Sequence, residues 1–261
     1  MSEDFKRYII ALAEKGLRAD GRKLLEHRKP VKIEYDISKK AEGSCKVTVG
    51  KTVVNCGVKM GIGEPYPDKP DEGSLIVNAE FAPISSPEFE PGAPGEESIE
   101  VSRVVDRGIR ESGAIDTKKL CVRPGEKVWL AFIDLYIENH DGNLIDVCGL
   151  GAIAALSHAV FPKYDEAADR VMYDEHTTTK VPIVHTPLPC TIIKIGKYFL
   201  VDPTAEEEAE AESRLTVSTD EHGIINAMQK GGSVGMSEEE IEECVKIALE
   251  QNNEMRKHLH H

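Results

Sequence analysis

The chain has 261 residues and 46 acidic against 32 basic side chains, a formal charge of −14 that argues against a general nucleic-acid binder, because long-range forces repel a polyanion. Forty per cent hydrophobic and thirty per cent charged residues suit a soluble globular protein, long enough for one large domain or two small ones. No apolar run reaches the roughly 18–20 residues of a membrane span, and residues 1–16 are too charged for a signal peptide, so the expectation is a cytoplasmic protein with no membrane partner.

Residues 3–17 read as an amphipathic helix with Phe5, Tyr8, Ile9, Leu12 and Ala13 on one stripe. The compact turn Arg18-Ala19-Asp20-Gly21-Arg22 follows. Alternating β-branched residues predict strands at 31–37, 44–49 and 52–60, with Gly50-Lys51 as a hairpin turn. Two Pro-rich loops, 61–73 and 83–95, flank a short strand at 74–81 whose Leu75, Ile76 and Val77 belong to a core.

Residues 98–114 read as a second helix. At about 100° per residue, Val101, Val104, Val105, Gly108 and Ile109 share one face. Arg103, Arg107 and Arg110, at i, i+4 and i+7, form a stripe on the other, flanked by Glu100, Asp106 and Glu111. From the residues alone this stripe is a solvated face held by helical ion pairs.

The stretch 133–159 organises the rest. Residues 128–137 are almost continuously apolar, as in a strand covered on both faces. Asp141-Gly142 is a turn dipeptide, and from 145 onward Val147, Cys148, Leu150 and Ala152 to Leu156 fill a helix apolar all round. Strand, glycine turn and helix start together form a usual place for a phosphate, because free backbone N–H groups point outward there.

Residues 173–180 read as a polar connection. Strands are expected at 191–195, 198–201, 215–219 and 224–228, with turns at Gly196-Lys197 and Glu221-His222-Gly223. The acidic run from Glu206 to Glu212 reads as a solvated segment. Ser237 with Glu240 three residues on is a capping box, and it opens a last helix with Ile241, Val245, Ala248 and Leu249 as its apolar stripe. The six cysteines lie far apart with no C-x-x-C pair, so they read as reduced packing residues and no zinc site is expected of them. Mixed sheets flanked by helices, an α+β class with a βαβ-type core, account for the pattern.

The wording inside these elements resembles the ribonuclease PH family. The signs are Arg18-Ala19-Asp20-Gly21-Arg22, Gly63-Glu64-Pro65 leading to Pro67-Asp68-Lys69-Pro70-Asp71-Glu72-Gly73, Val104-Val105-Asp106-Arg107, and Asp141-Gly142 before the long helix. Within the family the resemblance is to the archaeal exosome subunit that lacks an active site of its own. It implies one RNase PH-like domain over 1–261, with an N-terminal half at 1–160 and a C-terminal half at 161–261. It also implies a hetero-hexameric ring of three heterodimers with a catalytic RNase PH-like partner, RNA-binding cap subunits, and single-stranded RNA as substrate.

Catalytic members follow the Asp-Gly turn with small and hydroxyl residues and then an arginine, which hold the attacking phosphate. Here the run is Asn143-Leu144-Ile145-Asp146. Two aliphatic side chains cannot replace donors and positive charge. Catalytic members also carry two aspartates in a D-x-x-x-x-x-D run. The matching run here, 208–214, keeps a carboxylate at Glu208 and has Arg214 at its end. The resemblance therefore implies a degenerate phosphate site at Asn143, Leu144 and Ile145 and a degenerate acid site at Glu208 and Arg214. No catalytic residue, metal or cofactor of the chain's own is expected. In this family the arginine helix faces the channel, which makes Arg103 and Arg107 expected RNA-phosphate contacts with Arg110 as the third, whereas Arg18 and Arg22 read as structural. Two other functions stay open. One is an active phosphorolytic exonuclease, against which Leu144, Ile145 and Arg214 speak. The other is a small-molecule kinase, because Gly149-Leu150-Gly151 superficially resembles a phosphate loop; these glycines fall inside the expected helix, where they permit close packing.

Overall fold

A computed structural model describes residues 3–260. The first helix, α1, spans Glu3–Ala13 and is shorter than the periodicity suggests. Gly16, at φ +72°, sits in the turn that closes it, and the Leu17 N–H returns to the Leu12 carbonyl.

The first sheet contains β1 (Val31–Tyr35), β2 (Gly43–Val49), β3 (Thr52–Gly63), β4 (Ser74–Phe81) and β6 (Lys127–Asn139), in the order β1-β2-β3-β6-β4, with the short β5 (Cys121–Arg123) on β6. The β2–β3 hairpin turns at Gly50, φ +59°, where the sequence puts it. β4 runs parallel to β6, and α2 (Glu96–Glu111) makes the crossover between them. That β4–α2–β6 unit is the βαβ core.

β6 departs from expectation. Only its first half is closed on both sides; beyond Ile133, Asp134 and Tyr136 face solvent while Leu135 and Ile137 are buried. The apolar run conceals this alternation because Tyr136 counts as apolar in the sequence yet stands on the open face.

After β6 the chain turns through Asp141-Gly142 into α3 (Leu144–His158), in which every residue from Leu144 to Leu156 is buried. α3 packs on β2 and β3 on one side and on β9 (Leu188–Ile195) on the other. Its glycines serve packing. A Cβ at Gly149 would collide with the Pro189 ring, and one at Gly151 with the Cys56 thiol.

The second sheet has the order β10-β9-β11-β12, with β10 at Tyr198–Val201, β11 at Ser213–Thr219 and β12 at Ile225–Gly231. α5 (Glu238–Arg256) opens on the expected capping box of Ser237 and Glu240. The stripe it buries is Cys244, Ile247 and Ala248 against Cys190, Ile192, Leu215 and Val217. Ile241 is exposed, so the inward face is rotated from the predicted one.

Residues 173–180, expected as a connection, lie within the strand β8 (Arg170–Lys180), which pairs with β7 (Val160–Asp165) as a separate two-stranded ribbon. Most of β8 is exposed on both faces, so no apolar alternation marks it. All six cysteines are free, and only Cys121 is not fully buried.

Candidate functional site

The Asp141-Gly142 turn is held from behind by a buried ion network. Arg28, 6% exposed, sends its Nε and Nη2 to the two oxygens of Asp202 at 3.0 and 2.7 Å, and its own backbone N–H to the same carboxylate at 2.7 Å. The same guanidinium donates to the carbonyls of Asp141 and Gly142, the latter at 3.2 Å. Thr52 Oγ1 donates to the Gly142 carbonyl at 2.8 Å. Gly142 adopts φ +90°, and a Cβ there would meet the Pro203 carbonyl and the Thr204 backbone. Burial alone would raise the Asp202 carboxyl, but the hydrogen bonds and charge of Arg28 hold it below its ordinary value. Arg18 ties the adjacent segment down through Glu207 and the Val201 and Asp202 carbonyls, and Arg22 pairs with Asp20 and Asp202.

In front of the turn, the residues singled out at two distant places in the sequence converge. Asn143, Leu144, Ile145, Glu208 and Arg214 line one cavity of about 30 Å³ together with Glu97, Glu100, Val101 and Thr191. Such a volume accepts one or two waters, each needing roughly 10–15 Å³. The Asn143 backbone N–H, pointing out of the turn, donates to Glu208 Oε1 at 2.9 Å. A carboxylate of the chain itself thus sits at the helix start. Asn143 holds the left-handed conformation, φ 57°, and its side-chain amide donates to Asp202 Oδ1 at 2.9 Å, which joins the front of the site to the ion network behind.

The charges lining this cavity are three glutamates and one arginine, and Arg214 is already ion-paired to Glu100 on α2. Burial pushes Glu208 up to about 7, and the neighbouring Glu97 adds to the rise while the Asn143 N–H and Arg214 oppose it. Burial likewise raises Glu97, with Glu88 contributing. Asp146 does not face the cavity. It accepts from the Thr191 N–H at 2.8 Å and hydroxyl at 2.7 Å, and burial raises it to about 7.

The acidic run is not solvated throughout, as expected from its composition. Thr204 and Glu207 form a capping box that starts a short helix, α4 (Ala205–Ala209), and this turns Glu207 into the interior and Glu208 toward the cavity. The Thr-x-x-Glu spacing was a readable signal, masked by five glutamates in seven residues. Arg28 and Asp202 carried no sequence signal, since 174 residues separate them.

On α2 the buried face is the predicted one, with Ser98 added. The three arginines of the opposite stripe differ in their freedom. Arg110 is bound to Asp106 and to the Leu75 carbonyl. Arg107 reaches Gln229 Oε1 on β12 at 3.1 Å. Arg103 is exposed and has no hydrogen-bond or ion-pair partner among the described residues.

Two models of the 3′ exoribonuclease family match the chain, domain 1 over residues 27–162 and domain 2 over residues 185–251. Among curated proteins, the exosome complex component Rrp42 of Thermococcus onnurineus is 44% identical over 98% of this chain and 94% of its own length. That of Methanosarcina acetivorans is 47% identical over 96% and 91%. Among solved structures, a chain of the Archaeoglobus fulgidus exosome with RNA bound to the active site superposes with a TM-score of 0.88 at 43% identity, covering 97% of both chains. A chain of an archaeal exosome core superposes at 0.85 with 40% identity, covering 99% of this chain and 97% of that one.

Proposed function

The chain belongs to the 3′ exoribonuclease, or RNase PH, family, and from that premise we propose that it is an exosome ring subunit that performs no phosphorolysis itself. It alternates with a catalytic RNase PH-like partner in a hexamer, supports the partner's active site and guides single-stranded RNA to it. The observation that carries this reading is the Glu208 carboxylate bonded to the Asn143 N–H at the start of α3, where an attacking phosphate would need an open donor. Leu144 and Ile145 add no donor side chain, and Arg214, the one cation lining the cavity, is already paired with Glu100, so nothing there offers an anion a free positive charge. The exosome relatives and the RNA-bound neighbour, similar over nearly the whole chain, support the assembly and the RNA.

RNA guidance falls to Arg103 first, because its guanidinium is exposed and uncommitted, and to Arg107 second, since leaving Gln229 costs it one hydrogen bond. Arg110 would have to give up both Asp106 and the Leu75 carbonyl. Guanidinium forks bind phosphate without reading bases, which suits an enzyme that passes any sequence. Arg103→Ala leaves no partner unpaired, so the fold should be untouched. In the complex assembled with its catalytic partner, it should weaken RNA binding about three- to tenfold and flatten the dependence of log affinity on log salt by about 0.7 per lost phosphate contact. Unchanged affinity and slope in an Arg103→Ala, Arg107→Ala double variant would reduce the subunit to a scaffold.

A further inference from the structure

At one end of the second sheet, where β9 begins and β11 ends, a side-chain cluster of a different chemistry is assembled. His185, in the segment leading into β9, and Glu221 and His222, in the turn between β11 and β12, each offer one ligand atom, and all three atoms lie within 4.8 Å of one another. Glu221 Oε1 stands 2.9 Å from His185 Nδ1 and 3.5 Å from His222 Nε2. A tetrahedral zinc ion with bonds of about 2.0–2.1 Å sets neighbouring ligand atoms roughly 3.3 Å apart, so the carboxylate–imidazole separations need only small ring rotations. Both imidazoles are partly exposed, which makes those rotations cheap.

The surroundings fix the ligands in the manner of a metal site. Glu221 Oε2 accepts from the Thr186 N–H at 2.7 Å and from its hydroxyl at 3.0 Å, which orients the carboxylate and leaves Oε1 for the ion. The Asp220 carboxylate accepts from the His222 and Ile224 N–H groups at 2.9 and 2.8 Å and pins the turn. Arg256 joins the two segments by donating to the Thr186 and Thr219 carbonyls at 3.0 and 2.8 Å. Glu221, Asp220 and Arg256 leave the neighbourhood with one net negative charge, favourable for a cation. The thiols take no part: no cysteine belongs to the group, and all but Cys121 are buried.

We propose that His185, Glu221 and His222 bind a divalent cation of the zinc class, which staples the segment entering β9 to the β11–β12 turn. Two imidazoles and one carboxylate are ligands zinc accepts readily, and three protein ligands leave a fourth position for water. The ion takes the place of the hydrogen shared between His185 and Glu221, with the His185 proton moving to Nε2.

The test uses the full chain in which His258, His260 and His261, able to bind metal on their own, are changed to Asn in every sample. Co²⁺ serves as the optical probe and Zn²⁺ as competitor. The expected result is one Co²⁺ per chain, displaced by Zn²⁺, with visible ligand-field bands and no thiolate charge-transfer band. His185→Ala and His222→Ala should each weaken uptake by more than about tenfold, and Thr186→Val, which removes only the hydroxyl behind the carboxylate, by about tenfold. Without metal every variant should still melt in a single cooperative transition, with at most the small shift expected from losing one exposed hydrogen bond, showing that loss of the fold is not the cause. Absence of stoichiometric uptake, uptake unchanged in His185→Ala, or a thiolate band would overturn the assignment.

Discussion

Arg28→Met should destabilise the protein by about 3–5 kcal/mol at pH 7, measured by equilibrium urea unfolding. The substitution keeps most of the side-chain volume and removes the charge. It leaves Asp202, fully buried, with only the backbone N–H of residue 28, the Asn143 amide and a 3.4 Å approach of Arg22. It also takes a donor from the carbonyls of Asp141 and Gly142, the latter keeping only Thr52 Oγ1. The pH dependence carries a sign. Arg28 depresses the folded-state value of Asp202, so its contribution is present above the unfolded carboxyl value near 3.9 and fades as pH falls through the lower folded one. The difference between parent and variant should therefore shrink in acid. Asp202→Asn in the Arg28→Met background should restore part of the loss, because it discharges the orphaned carboxylate while Asn tolerates the positive φ of 49° at that position.

Glu208→Gln should raise stability above pH 7 by roughly 1–3 kcal/mol and have little effect near pH 4. Burial raises the folded Glu208 from its ordinary 4.5 to about 7. Between those values the folded protein holds a proton that the unfolded chain has released, so stability falls as pH rises through that window. The amide removes this loss while its oxygen can still accept from the Asn143 N–H. Asp146, also raised to about 7 by burial, adds a decline of the same sign that persists in the variant. A parent protein as stable at pH 8 as at pH 5, with Glu208→Gln unchanged at both, would place the carboxylate in solvent and reopen the helix start to an anion.

The fold was legible where periodicity and turn chemistry act locally. Gly50 between two alternating strands, the apolar face of α2 and the Ser237–Glu240 box all stand where the residues indicate. β8 escaped because a ribbon exposed on both faces has no apolar alternation to betray it. The α5 stripe was misplaced because Cys244 packs as an apolar residue beside Ile247 and Ala248, whereas Ile241 stays exposed. The site was legible in its departures. Leu144, Ile145 and Arg214 stand out against the family motif, and they meet in one cavity. How that cavity is filled was not legible. Composition suggests that Glu208 faces water, and only the capped turn of α4 directs it to the Asn143 N–H. The Arg28–Asp202 pair was invisible for a different reason: a buried ion pair between distant segments leaves no local pattern in either.

The central claim is tested most directly by phosphate-dependent shortening of a single-stranded RNA. The samples are this chain alone, the proposed catalytic RNase PH-like partner alone, and the two mixed at equal concentration. The account predicts no shortening by this chain and activity in the mixture well above that of the partner by itself. Robust phosphorolysis by this chain alone would contradict it and would require a phosphate site other than the turn that Glu208 now occupies.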